Sequence, residues 1–188
     1  QWAKRLRIWQ WLDQAFQGVQ TSDAKTDLEW QGMQMFVENG VAESDPRMID
    51  VYAHFEANLR DIIDILSDKG MHVVLSTVPV NLRHSAPFLS MTDNTLSPEF
   101  SQRVSDLKAR AAAQSRNLQW RAASTLWQQA IEIDPGHADS HFQLATSLEW
   151  QGDHLAAKRH FERALDLDAL RFRADTKIND RIRAVAKD

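Results

Sequence analysis

The chain has 188 residues, 43% of them hydrophobic and 26% charged, a globular balance that excludes a disordered or low-complexity protein. Its formal charge of -4 argues against a general nucleic-acid binder, which needs a basic face to neutralise phosphates. The absence of cysteine removes disulfides and thiolate metal sites while leaving the compartment open, and no apolar run approaches the roughly 18 residues of a membrane span.

The first predicted helix covers about residues 2–17, with Leu6, Trp9, Leu12 and Phe16 at helical spacing. Lys4, Arg5 and Arg7 beside Trp2, Trp9 and Trp11 would suit a membrane surface. A helix facing a packing partner reads the same way and is the plainer expectation. After a turn at "TSD", a weaker helical segment, "LEWQGMQMF", closes at Asn39-Gly40. The next helix is well marked: Ser44 as cap, Pro46 in the first turn, Gly70 as stop, and an apolar stripe through Tyr52, Phe55, Leu59, Ile62, Ile63 and Leu66. It runs into "MHVVLSTVPVN", a continuously apolar, β-branched stretch that predicts one strand, buried on both faces, over about residues 71–78. Helix, Gly turn and buried strand are half of a βαβ unit. The following stretch, "TVPVNLRHSAPFLSMTDNTLSPEF", has little periodicity and is long for a loop, which marks a functional element or a junction.

From Ser97 onward the chain reads as helix only, starting at "SPEF" with Ser97 as N-cap and Pro98 at the first helical position. Laid on itself at a 34-residue offset, "AASTLWQQAIEIDP" falls on "AAKRHFERALDLDA", pairing Ala123 with Ala157, Trp127 with Phe161 and Ala130 with Ala164. Small residues let antiparallel helices approach, the aromatic fills the space between repeats, and Pro135 ends a helix. This pattern resembles the tetratricopeptide repeat. One repeat spans about residues 104–137, the next about 138–171, and residues 174–187 form a capping helix through Ile178, Ile182 and Val185. The basic excess from Arg171 reads as the solvated face of that helix.

No catalytic constellation stands out. His137 and His141 have the spacing of a helical zinc pair, with His154 and His160 nearby, but position 138 is Ala where a zinc protease needs Glu, and no third ligand is evident. Asp134-x-x-His137 has the form of a hydrolase's orienting pair, yet it falls in an inter-helix turn without a serine elbow. Ser76 and Ser85 read as turn or packing residues. Neither metal nor cofactor is expected.

In a tetratricopeptide array the concave face, made by the first helix of each pair, binds protein or peptide. By register it offers Lys108 and Arg116 from the first repeat, and Asp139, Phe142, Thr146, Glu149 and Trp150 from the second. Lys108 is followed one turn later by Ala112, so the Lys-Asn clamp for chaperone tails is not carried over. Phe142 and Trp150 either anchor a peptide or pack on a neighbouring domain.

The block "DPRMIDVYAHFEANLRDIIDILSDKGMHVVLSTVPVNLR", then "APF", the repeats and "LRFRADTKINDRIRAVA", resembles the central part of bacterial SGNH (GDSL-type) hydrolase-like proteins that carry such repeats. The resemblance implies a partial α/β segment over residues 1–96 and a repeat module over 97–188, in a chain that is mainly α. It also implies an internal piece whose serine, oxyanion and Asp-x-x-His blocks lie outside it, so no catalytic residue is assigned. The function expected is a protein-interaction scaffold, binding a partner or its parent hydrolase domain; the alternative is a piece of a serine ester hydrolase.

Overall fold

Alanines set the geometry of the centre. The structure, a computed structural model, describes residues 32–187, and the predicted helix over residues 2–17 lies outside them. Among the described residues, a 3₁₀ segment, Gly32–Asn39, precedes six α-helices: α1 (Arg47–Ser67), α2 (Pro98–Arg116), α3 (Trp120–Ile133), α4 (Ala138–Trp150), α5 (His154–Asp166) and α6 (Thr176–Val185). The architecture is mainly α. Helices α2 with α3 and α4 with α5 form two hairpins, and α3 packs on α4 to join them. Buried Ala111 and Ala123 bring the first pair together around Trp127, which also meets Leu144 of α4. Ala145 and Ala157 perform the same service for Phe161 in the second pair. Each aromatic thus fills the space that small residues leave, as ordinary close packing requires.

The helix starts follow local chemistry. The Ser97 hydroxyl accepts the Phe100 N–H at 3.4 Å, Asp153 caps α5 through the Ala156 N–H at 3.0 Å, and Asp175 caps α6 through the Ile178 N–H at 3.0 Å. The turns inside the hairpins differ. Gly152 (φ 83°) occupies the left-handed region in the second, whereas Leu118 (φ 57°) occupies it at the equivalent place in the first.

Helix α1 behaves less simply than its stripe suggests. The Asp45 carboxylate, not Ser44, accepts the N–H of Arg47 at 2.9 Å, while Gly70 (φ 70°) ends the helix as expected. Only Met48 and Tyr52 are fully buried, and Ile62 of the stripe is 55% exposed. Its neighbour is α6, and the joint is polar: the Tyr52 hydroxyl donates to the Asp175 carboxylate, with Arg171 at 3.6 Å from that same carboxylate. Burial and the Asp175 charge both push the Tyr52 hydroxyl's pKa upward.

The strand predicted over residues 71–78 does not form, and with it goes the α/β character expected of this region. No strand exists among the described residues. The segment has no regular structure and runs from half-buried to exposed, with Val74 at 91%. A strand buried on both faces needs ladder partners on both sides, and here the partner is one side chain: Asn179 of α6 accepts the Val78 N–H at 2.8 Å and donates to the Val78 carbonyl at 3.0 Å.

Candidate functional site

The aperiodic stretch between α1 and α2 becomes a strap. Residues 82–90 run antiparallel to α4, bending at 82–84 and at Phe88, from Glu149 near that helix's end to Asp139 in its first turn, and are fixed by backbone-directed contacts. Asp168, buried in the turn after α5, accepts the N–H of Phe88 at 3.0 Å and of Leu89 at 3.1 Å, together with the Leu170 N–H at 3.2 Å. Arg173 donates to that carboxylate and to the Ser85 carbonyl, each at 2.8 Å. The Ala169 N–H donates to the Leu89 carbonyl at 3.0 Å, and the Ala169 carbonyl accepts the Val41 N–H at 2.8 Å, so the turn after α5 lies between two lines of chain. A Cβ at Gly40 would touch Ala169 and displace the tip of the Leu89 side chain.

Side chains complete the groove. Leu82 packs on the Ala145–Ala157–Phe161 cluster, Arg83 forms an ion pair with Glu149, and the Ser90 hydroxyl accepts the Asp139 N–H at 2.7 Å. Beside Arg83 a cavity of about 510 Å³ stays open, walled by His84, Thr146, Glu149, Trp150 and Phe161. Trp150 is 67% exposed and stacks on Trp120 with ring centroids 5.5 Å apart.

Of the residues selected from sequence, Asp139, Thr146, Glu149 and Trp150 therefore meet at the strap or its cavity, while Phe142 lies against Phe161 beneath it at 5.3 Å. Lys108 turns to the α3–α4 junction, where its Nζ lies 2.8 Å from His137 Nε2, and Arg116 is exposed at the end of α2. Asp168 and Arg173, which pin the strap's backbone, were absent from the sequence-derived set. The available signal was the repeat: at the 34-residue offset Asp134 falls on Asp168, and Asp139 on Arg173.

The histidines are structural. His137 Nδ1 accepts the Ser140 N–H at 3.1 Å, which caps α4, with the buried Ser140 hydroxyl at 2.9 Å, and its Nε2 lies 2.8 Å from Lys108 Nζ. His141 Nε2 faces the Pro135 carbonyl at 3.2 Å and its Nδ1 faces His160 Nδ1 at 3.0 Å. Both contacts hold only if His141 is protonated on Nε2 and His160 on Nδ1. Burial lowers His137 to about 4, aided by the Lys108 charge and opposed by Asp139. Burial also lowers His141 to about 4, against the Pro135 carbonyl, with His160, Arg163 and His137 adding repulsion. The N–H of His137 donates to the Asp134 carbonyl at 3.4 Å, so Asp134-x-x-His137 is a turn. Among the described residues no group of three or more His, Asp or Glu is placed to hold a metal ion. None of the described helices is long and apolar enough to cross a membrane. No protein-family model, curated protein or solved structure matches the chain.

Proposed function

We propose that the chain is a protein-interaction scaffold, a tetratricopeptide-type module whose groove grips a polypeptide segment and is occupied here by its own residues 82–90. The repeat reading is supported by two alanine-spaced hairpins whose second helices start 34 residues apart, at Trp120 and His154. The observation that carries the binding reading is Asp168. A buried carboxylate that collects the N–H groups of Phe88 and Leu89, beside an arginine on the Ser85 carbonyl, reads main chain more than any particular side chain. Sequence preference enters at the ends, through the Leu82 contact and the Arg83–Glu149 pair. No observation among the described residues favours the ester-hydrolase alternative.

An attached segment acts at an effective concentration of about 1 mM, so a free peptide competes poorly with it. The test therefore weakens the strap first. Labelled peptide of residues 80–92 is titrated into the full chain and into a Leu82→Asp/Arg83→Glu double variant, with fluorescence anisotropy as readout. The double variant should bind at least about tenfold more tightly than the parent, and adding Asp168→Asn should abolish the gain. A strap-weakened chain that ignores the peptide would overturn the reading.

A further inference from the structure

The two repeats carry equivalent buried aspartates in opposite states. Asp168 accepts four donors: three backbone N–H groups and Arg173. Asp134, its equivalent, is 1% exposed, yet neither carboxylate oxygen has a hydrogen-bond partner. Such a group costs free energy to bury unless something completes it. Its neighbours do not. The amides of Asp93 and Gly136 lower its pKa without completing a hydrogen bond, and Lys108, 2.8 Å from His137 Nε2, acts on it as a charge without hydrogen-bonding it. The arginine that serves Asp168 is replaced at the equivalent position by Asp139.

Asp134 also borders open space, although its carboxylate oxygens are covered. It lines a cavity of about 420 Å³ with Glu43, Ser44, Thr92, Asp93 and Gly136, just past the point where Ser90 meets Asp139. Arg163 borders the same cavity but is held by Glu43 at 2.6 Å. The cavity therefore offers a desolvated carboxylate, a second acid at Asp93 and hydroxyl groups, while its one arginine is already paired. Desolvation raises the Asp134 carboxyl's pKa, and the Lys108 charge offsets it only in part.

We propose that Asp134 anchors a guanidinium site, in which the cavity takes an arginine side chain of a partner segment lying along the groove beyond residue 90. The arginine would restore what Arg173 supplies to Asp168: a planar donor placed on a buried carboxylate, a geometry guanidinium satisfies better than ammonium. The inference rests on the groove reading because the arginine arrives on a partner segment; the site itself consists of residues the strap leaves unsatisfied.

N-acetyl-arginine amide, titrated into the full chain and followed by amide NMR shifts at Asp93 and Gly136, tests it. Saturable shifts are expected, with N-acetyl-citrulline amide, its neutral isostere, at least about tenfold weaker. Asp134→Asn, which keeps shape and removes the charge, should weaken the arginine probe by a similar factor. Glu99→Gln, exposed in the first turn of α2 and outside the groove, should leave its affinity unchanged. Equal binding of the citrulline probe, undiminished binding to Asp134→Asn, or saturation of the same amides by Ca²⁺ or Mg²⁺ would overturn the assignment. If the strap-weakened chain takes up the 80–92 peptide while the arginine probe leaves Asp93 and Gly136 unmoved, the groove reading survives and this one falls.

Discussion

The hairpins over residues 98–166 and the stretch over residues 41–97 hold their places by different means. The hairpins bury aromatic and aliphatic side chains against alanines a few turns away. The earlier stretch buries two residues of α1, lays Leu82 and Phe88 on apolar neighbours, and depends further on polar ties: Tyr52 to Asp175, Asn179 to Val78, Asp168 and Arg173 to the strap. Dispersion and burial are spread over many contacts and survive the loss of one. A carboxylate serving four donors fails all at once. The hairpins should accordingly resist perturbation as a unit, and the strap should come away as a unit.

The largest effect should come from the hairpin core. Trp127→Ala removes the side chain that joins α2, α3 and α4 and should cost about 3 to 5 kcal/mol in urea melts. Trp150→Ala, exposed and holding one stacked ring, should cost no more than about 1.5 kcal/mol. Equal losses would place Trp150 in the core and undo its role as cavity wall.

Next comes the strap. Asp168→Ala leaves the Phe88, Leu89 and Leu170 amides and Arg173 without their acceptor, a loss of about 2 to 4 kcal/mol. Hydrogen exchange should quicken at residues 88 and 89 well before it quickens in α3. Simultaneous opening of both would mean that the strap and the hairpins are a single cooperative element, contrary to the contrast drawn above.

Sequence reasoning reached these two regions unequally, for a physical reason. The Trp127 and Phe161 environments were legible because an aromatic flanked by alanines at helical spacing specifies its surroundings within one repeat. The face of α4 was legible for the same reason: register alone puts Asp139, Thr146 and Glu149 on one side. The strap was not, since its contacts pair Phe88 and Leu89 with a carboxylate some 80 residues away and leave no period. The run over residues 71–78 misled because β-branched residues report an extended backbone preference and say nothing of a partner strand. Lys108 left its expected face for His137 in the neighbouring turn, a partner that register cannot reveal.

The histidines give an intermediate effect that is confined to the hairpins. His137 and His141 have folded-state values near 4 against 6.5 for an ordinary histidine, so between those values the unfolded chain binds more protons. Stability is therefore full above about pH 6.5 and is lost as pH falls toward 4. With partial screening of each ring by solvent, the loss is about 1 to 2 kcal/mol per histidine. A His137→Gln/His141→Gln double variant should flatten the profile of urea midpoints across that window; an unchanged slope would assign the acid sensitivity to other groups.

The smallest predicted effect has the opposite sign. Leu118 sits at φ 57° in the first hairpin's turn, where the second hairpin has Gly152 at φ 83°. A residue with a Cβ pays roughly 1 to 2 kcal/mol in that region, and Leu118 recovers little of it because its side chain is 69% exposed. Glycine relieves the strain but gives back part of the gain through the entropy of the unfolded chain, about 0.5 to 1 kcal/mol. Leu118→Gly should thus stabilise the chain by roughly 0.5 to 1 kcal/mol, seen as a higher urea midpoint at unchanged slope. The reciprocal change, Gly152→Leu, should destabilise by a comparable amount, even though no atom stands in the way of a Cβ there. If Leu118→Gly instead lowers the midpoint, the leucine is being used by something outside the hairpin, and the two turns are not equivalent in the way their backbones suggest.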